Sequence, residues 1–298
     1  MKRILVLGGT QFFGKKLVST LLRNGNEVTI ATRGKTPDPF GSAVKRLFIE
    51  RQDKESIEKA FAEGEWDIVY DQTCQSPLEA KYVLDALKGK VKRYIFTSTQ
   101  AVYDFGVNHT EEEFNPLQFL FEYKPREKYV GYKGYQEAKR AAEAVLFNQN
   151  DIEVAAIRFP IVIGEDDFTN RLRFHIDKII NHEVIGISNP EARYSFILSD
   201  EAASFLNEIG FSTFTGPINP GCQMDISLQE LVEKIEALTG KKANITDILT
   251  KENASPYSLD GSWAINTNKA ERLGFSFSNL DEVLDSLIDH YAVRLTER

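Results

Sequence analysis

Cysteine is scarce in this chain of 298 residues: Cys74 and Cys222 are too few for a disulfide framework, and neither sits in a Cys-x-x-Cys or Cys/His spacing of the kind that binds metal. Basic residues are outnumbered. With 36 Lys and Arg against 44 Asp and Glu the formal net charge is −8, and the isoelectric point near 5.3 argues against a general nucleic-acid binder, which must cluster cations against phosphate. No apolar run approaches the ~18 residues of a membrane-spanning helix. The run Ile4–Leu7 is too short for a signal-peptide core and breaks at glycines. A cytoplasmic protein is therefore expected. Hydrophobic residues at 42% and charged residues at 27% exclude a disordered or fibrous chain. At roughly 150 residues per domain, the length suits one large domain or two smaller ones.

What is present is an alternation of two hydrophobic periods. Ile4-Leu5-Val6-Leu7, Val28-Thr29-Ile30, Leu47-Phe48-Ile49, Asp67–Tyr70 and Tyr94-Ile95-Phe96 read as short buried strands. Between them, Phe13, Leu17, Leu21 and Leu22 fall at helical spacing, Asp53 can cap a helix carrying Ile57, Ala60 and Phe61, and Pro77–Leu87 reads as another helix. Strands alternating with amphipathic helices predict a parallel, doubly wound α/β sheet of Rossmann-like type. Residues 104–130 lack a period and read as a long loop. A helix over 132–149 and a strand at Val154–Ile157 follow, then helices around 169–181, 200–209, 227–239 and 280–294, with Asp166-Asp167 before Thr169 suiting an N-cap. The expected division is 1–160 for the sheet-bearing domain and 161–298 for a smaller α+β cap, with the chain free to cross between them.

Leu5–Leu22 carries the strongest local signal. Gly8 and Gly9 allow a tight turn at the strand's end, Gly14 allows close helix–sheet packing, and the free N–H groups of a helix start suit a pyrophosphate. The candidate cofactor contacts here are Gly8, Gly9, Thr10, Gln11, Phe12, Phe13 and Gly14. Gln11 stands where a dinucleotide fingerprint has a small residue, so its side chain must point away or the cofactor must sit farther out. After the second strand, Ala31-Thr32-Arg33-Gly34-Lys35 is basic and has no carboxylate to bind a ribose 2′-hydroxyl. Arg33 as a clamp on a 2′-phosphate favours NADP over NAD; a solvated loop arginine is the alternative. Asp53 either contacts adenine or caps its helix. Tyr135 and Lys139 lie one turn apart on one helical face, where an ammonium can stabilise a phenolate. Tyr129 and Lys133 share that spacing, but Gly131 and Gly134 make theirs a poor helix. Thr99, past the end of the fifth strand, lies at the sheet edge where open α/β sheets bind ligands.

The ordered set GGTQFFG, TSTQAVY, YQEAK, RFPIVIG and the closing Asn268–Phe275 resembles the extended short-chain dehydrogenase/reductase superfamily over nearly the whole chain. Within it the chain is most similar to the NAD-dependent epimerase/dehydratase-like group, in the branch that includes chloroplast stem-loop RNA-binding relatives. The resemblance implies that Tyr135 exchanges a proton with a substrate hydroxyl, Lys139 binds the nicotinamide ribose and Thr99 hydrogen-bonds the reacting oxygen. It also implies that Phe159 and Pro160 adjoin the cofactor. The implied reaction is hydride transfer at a hydroxyl-bearing carbon of a small molecule such as a nucleotide sugar, in a protein that can form a homodimer. Gln100 and Ala101 replace the Asp-Glu acid/base pair of the dehydratases, so dehydration by that route is not expected. The loop at 104–130 lengthens the gap between Thr99 and Tyr135 and could shape or cover the substrate site. The rival readings are a non-catalytic sensor of the nicotinamide cofactor and an RNA-binding relative, the latter opposed by the negative charge. His109, His175, His182 and His290 show no ligand spacing, so no metal is expected.

Overall fold

The structure is a computed structural model that describes residues 1–296. The chain forms two compact units. One comprises Met1–Val102, Glu111–Phe159 and Asp200–Asn219; the other comprises Tyr103–Thr110, Pro160–Ser199 and the chain from Pro220 onward.

The first unit is built on a seven-stranded parallel sheet. Strands β1 (Arg3–Leu7), β2 (Glu27–Thr32), β3 (Val44–Phe48), β4 (Trp66–Asp71) and β5 (Val91–Thr99) are joined by strands Glu153–Phe159 and Gly216–Ile218. The order runs Gly216–Ile218, Glu153–Phe159, β5, β4, β1, β2, β3. Chain direction across the sheet reverses at β1, where Leu7 pairs with Ala31 on one side and Asp71 on the other. A doubly wound sheet opens a ligand-binding crevice beyond its strand ends at such a reversal. Ile4, Leu5, Val6 and Leu7 are fully buried, which is why that strand reads as an unbroken apolar run.

Helices α1 (Phe12–Arg23), α2 (Lys54–Ala60), α3 (Pro77–Leu87) and α4 (Gly131–Phe147) flank the sheet. Their starts follow from local chemistry. Asp53 accepts from the amides of Glu55 and Ser56 at 3.0 and 3.3 Å, and Ser76 caps α3 by accepting from Glu79 N at 3.3 Å ahead of Pro77. One core joins Ile57 and Phe61 to Val83, Leu87, Tyr94, Phe96, Ala142 and Leu146. In α4 every residue from Ala138 to Leu146 except Arg140 is buried, so the helix is covered on nearly all sides.

The second unit holds a four-stranded sheet in the order Ile226–Ser227, Arg193–Tyr194, Trp263–Ile265, Gly106–His109. Two further strand pairs accompany helices Arg171–Ile180, Leu228–Thr239 and Leu280–Thr296. The segment 104–130 is more ordered than its composition predicts. Gly106–His109 is a strand paired with Trp263–Ile265, a partner remote in sequence that no local period could reveal, and short helical turns follow at Glu111–Glu113, Pro116–Gln118 and Arg126–Lys128. Asp166-Asp167 does not cap a helix. The N-cap is Asn170, in a left-handed conformation (φ 53°) with no side-chain bond to the helix amides, while Asp167 Oδ1 accepts from Thr169 N at 2.9 Å in a local turn. Among the described residues no helix is long and apolar enough to cross a membrane, and no three or more His, Cys, Asp or Glu side chains gather to hold a metal.

Candidate active site

The turn after β1 is shaped by close approach. Gly8 (φ 107°) and Gly9 (φ 84°) occupy backbone conformations that side chains rarely adopt, and a Cβ on Gly14 would fall 2.3 Å from Gln72 Oε1. Phe12 takes a positive φ of 50°, and Phe12–Phe13–Phe159 pack edge-on and tilted with ring centroids 5.6 and 5.5 Å apart. Phe159 ends its strand; Pro160 follows it and belongs to the second unit.

Helix α1 starts without a side-chain cap and without an acidic residue in its first turn, unlike α2 and α3. Gln11, its N-cap residue, is exposed and extended, and its carbonyl accepts from Lys15 N at 3.1 Å. Beside this turn, Gln72 Nε2 is buried with no hydrogen-bond partner among the described residues. Uncapped amides and an unsatisfied side-chain donor at one glycine turn form a donor set suited to an anion.

A cleft of about 270 Å³ opens from the turn. Gly8, Thr10, Gln11 and Arg33 of the expected cofactor residues line it, together with Lys35 and residues at the ends of β3 and β4; Asp53 does not line it. Arg33 and Lys35 make no ion pair among the described residues and border the cleft, which Glu50 also lines.

The cleft floor is an ion network that the sequence motifs did not reveal. Arg51 donates to both oxygens of Asp71, at 2.5 and 2.8 Å, and Tyr94 donates to Asp71 Oδ2 at 2.5 Å. Burial opposes both charges, but the Asp71 carboxylate outweighs it and holds Arg51 charged, and Arg51 in turn holds the Asp71 carboxyl below its usual range. Burial also pushes the Cys74 thiol up to about 12, which makes it an inert packing residue. Glu79, on the first turn of α3, lies 3.5 Å from Arg51 Nε and holds Arg126 through two bonds. The Ser76-Pro77-x-Glu79 capping pattern was a signal that Glu79 faces a helix start; nothing in sequence pointed to Arg126.

The three expected catalytic residues sit on β5 and α4. Lys139 is buried; its Nζ donates to the Thr97 carbonyl at 2.9 Å and lies 4.7 Å from the Phe96 ring centroid. Thr99 ends β5, two residues beyond that carbonyl, and its Oγ1 accepts from Ala101 N at 3.2 Å. Tyr135, one helical turn before Lys139, is 41% exposed. Tyr129 precedes α4, so Tyr129 and Lys133 do not share a helical face. One turn beyond Lys139, Glu143 pairs with Arg158 at 2.7 Å and accepts from Ser98 Oγ at 2.5 Å, which ties α4 to β5 and to strand Glu153–Phe159. A lone arginine in the apolar stretch Val154–Phe159 was the available sign of such a buried partner.

Residues 4–207 match the NAD dependent epimerase/dehydratase family. The chain belongs to this family. It is 32% identical over 115 residues to the chloroplast stem-loop binding protein of 41 kDa b of Arabidopsis thaliana, a match covering 34% of this chain and 30% of that relative. It is 27% identical over 264 residues to UDP-glucuronic acid decarboxylase 6 of the same plant, covering 79% of this chain and 74% of the enzyme. Among solved structures, the UDP-glucose 4-epimerase of Thermus thermophilus in complex with NAD superposes with a TM-score of 0.73 at 18% identity, over 97% of this chain and 98% of that one. This family member therefore has the Rossmann-like fold of those epimerases.

Proposed function

We propose that the protein is an NAD(P)-dependent enzyme that transfers hydride at a hydroxyl-bearing carbon of a small molecule, with a nucleotide sugar as the substrate class. Family membership and the nucleotide-sugar enzymes among its relatives support this reading. The observation that carries it is the turn at Gly8–Gly14, where uncapped α1 amides and the unpartnered Gln72 Nε2 face a cleft edged by Arg33 and Lys35.

In this reading the turn and α1 hold the pyrophosphate. Arg33 lies at the end of β2 without a carboxylate beside it, and its guanidinium matches a 2′-phosphate, which favours NADP. Phe13 packs on Phe159 next to the turn. Asp53 serves its helix cap. Bound nicotinamide would supply hydride acceptance and return. Lys139, one helical turn after Tyr135 and fixed to the Thr97 carbonyl, supplies a cation; Tyr135 exchanges a proton with the substrate hydroxyl, and Thr99 Oγ1 orients that oxygen.

Fluorescence titration with NADP and NAD, followed by a screen of nucleotide sugars for cofactor reduction or epimer formation, tests the reading. Binding of NADP with turnover supports it. Binding without turnover would leave a cofactor-sensing module, and absence of binding by either nucleotide would overturn the proposal.

A further inference from the structure

Arg126 is the only residue of the segment between Glu111 and Tyr129 that lines the cleft described above, and the way it is held is unusual for a loop arginine. Its Nε and Nη2 donate to the two carboxylate oxygens of Glu79 at 2.5 and 2.8 Å. Glu79 is 1% exposed and is itself fixed, since its amide bonds to Ser76 Oγ and its carboxylate accepts from Gln75 N at 3.1 Å. A bidentate bond to an immobile carboxylate leaves a guanidinium little freedom. The remaining nitrogen, Nη1, has no acceptor among the described residues, and the side chain keeps 32% of its surface exposed. One edge of the fork is anchored; the other is a free donor at a cleft that Arg33 and Lys35 also line.

We propose that Arg126 is a phosphate-binding residue of this cleft, delivered by the long loop and aimed by Glu79. The proposal rests on the nucleotide reading above and deepens it. Glu79 acts as a positioning residue, because its contact with the ligand runs through Arg126. The charge arithmetic agrees. Asp71 compensates Arg51 beneath the floor, Glu79 is shared between Arg51 and Arg126, and Glu50 also lines the cleft, so the four cations Arg33, Lys35, Arg51 and Arg126 exceed these three carboxylates by one charge that a dinucleotide's phosphates can neutralise.

The arrangement also links the cleft to the catalytic helix. Three residues after Arg126 the chain passes Tyr129, whose backbone carbon would lie 2.5 Å from a Cβ on Gly134 in the first turn of α4. The chain therefore packs closely against the first turn of α4 at Tyr129. Gly134 is required by this approach.

The test is equilibrium binding of NADP and of NAD to the full chain and to R126A and R126K, with melting temperatures measured without ligand as a check on folding. A charge-assisted bond to phosphate predicts that R126A weakens binding about tenfold or more. R126K, which keeps the charge and loses the fork, should fall between, and remains informative if R126A does not fold. A loss confined to NADP assigns the contact to the 2′-phosphate, and an equal loss for both nucleotides assigns it to the pyrophosphate; either supports the proposal. Unchanged affinity in a folded variant overturns it while leaving the nucleotide reading intact. If the unaltered protein binds neither nucleotide, that reading fails and the proposal falls with it.

Discussion

Glu143 and Arg158 face each other across the interior of the first unit, 2.7 Å apart and both without exposed surface. Arg158 also donates to the carbonyls of Glu111 and Phe114, at 2.9 and 3.0 Å, and lies 5.1 Å from the Phe114 ring centroid. One guanidinium thus ties α4, the sheet and the start of the long segment together. Removing a single partner leaves an uncompensated buried charge, which costs about 3–5 kcal/mol. Glu143→Gln should therefore lower the urea midpoint sharply. Combining it with Arg158→Met should recover only part of the loss, because the two carbonyls then go unsatisfied. Full recovery in the double variant would mean that the ion pair alone matters.

Tyr135→Phe removes the phenolic hydroxyl from an exposed site on α4 and leaves the buried Lys139 contact with Thr97 in place. If that hydroxyl moves the proton, turnover should drop by about 10²–10⁴-fold, the usual worth of general acid–base catalysis. The affinity for NADP should stay as it was. Retained turnover would remove Tyr135 from the chemistry.

The sheet was legible because its central strands are buried on both faces and so read as apolar runs, and because Asp53 and Pro77 punctuate the helices. The helix of Tyr135 was legible for the complementary reason: an uninterrupted Ala-rich stretch follows Gly134. Arg51, Glu79 and Arg126 were not. Each is an ordinary charge in sequence, and only tertiary packing brings them to one cleft. The strand Gly106–His109 was hidden likewise, since its partner Trp263–Ile265 lies far along the chain. Gln72 escaped notice because its significance lies in its distance from Gly14, which no spacing rule encodes.

Arg33 borders the cleft without an ion-pair partner among the described residues, which makes it a direct test of cofactor choice. Arg33→Ala should weaken NADP by about tenfold or more, as expected for the loss of one charge-assisted bond to phosphate, and leave NAD nearly unaffected. The measurement is the ratio of the two dissociation constants at fixed salt. An equal effect on both nucleotides would place Arg33 near the pyrophosphate or reduce it to long-range attraction.

His175, in the second unit, gives that unit a pH signature. Its Nδ1 lies 2.9 Å from the Arg171 carbonyl, which can only accept, so Nδ1 carries the proton and Nε2 accepts from Ser255 Oγ at 2.8 Å. The ring is fully buried and stacked on Tyr257 at 5.1 Å. Burial pushes its pKa down to about 4 from the ordinary 6.5, so between those values the unfolded chain takes up a proton that the folded one refuses. The stability gained from a neutral His175 is complete above pH 6.5 and is lost as the pH falls toward 4. The total is on the order of 3 kcal/mol. Urea midpoints across this interval should fall with acidification, and His175→Gln, which does not titrate, should flatten the slope even where it lowers overall stability. An undiminished slope in that variant would assign the acid sensitivity to another group.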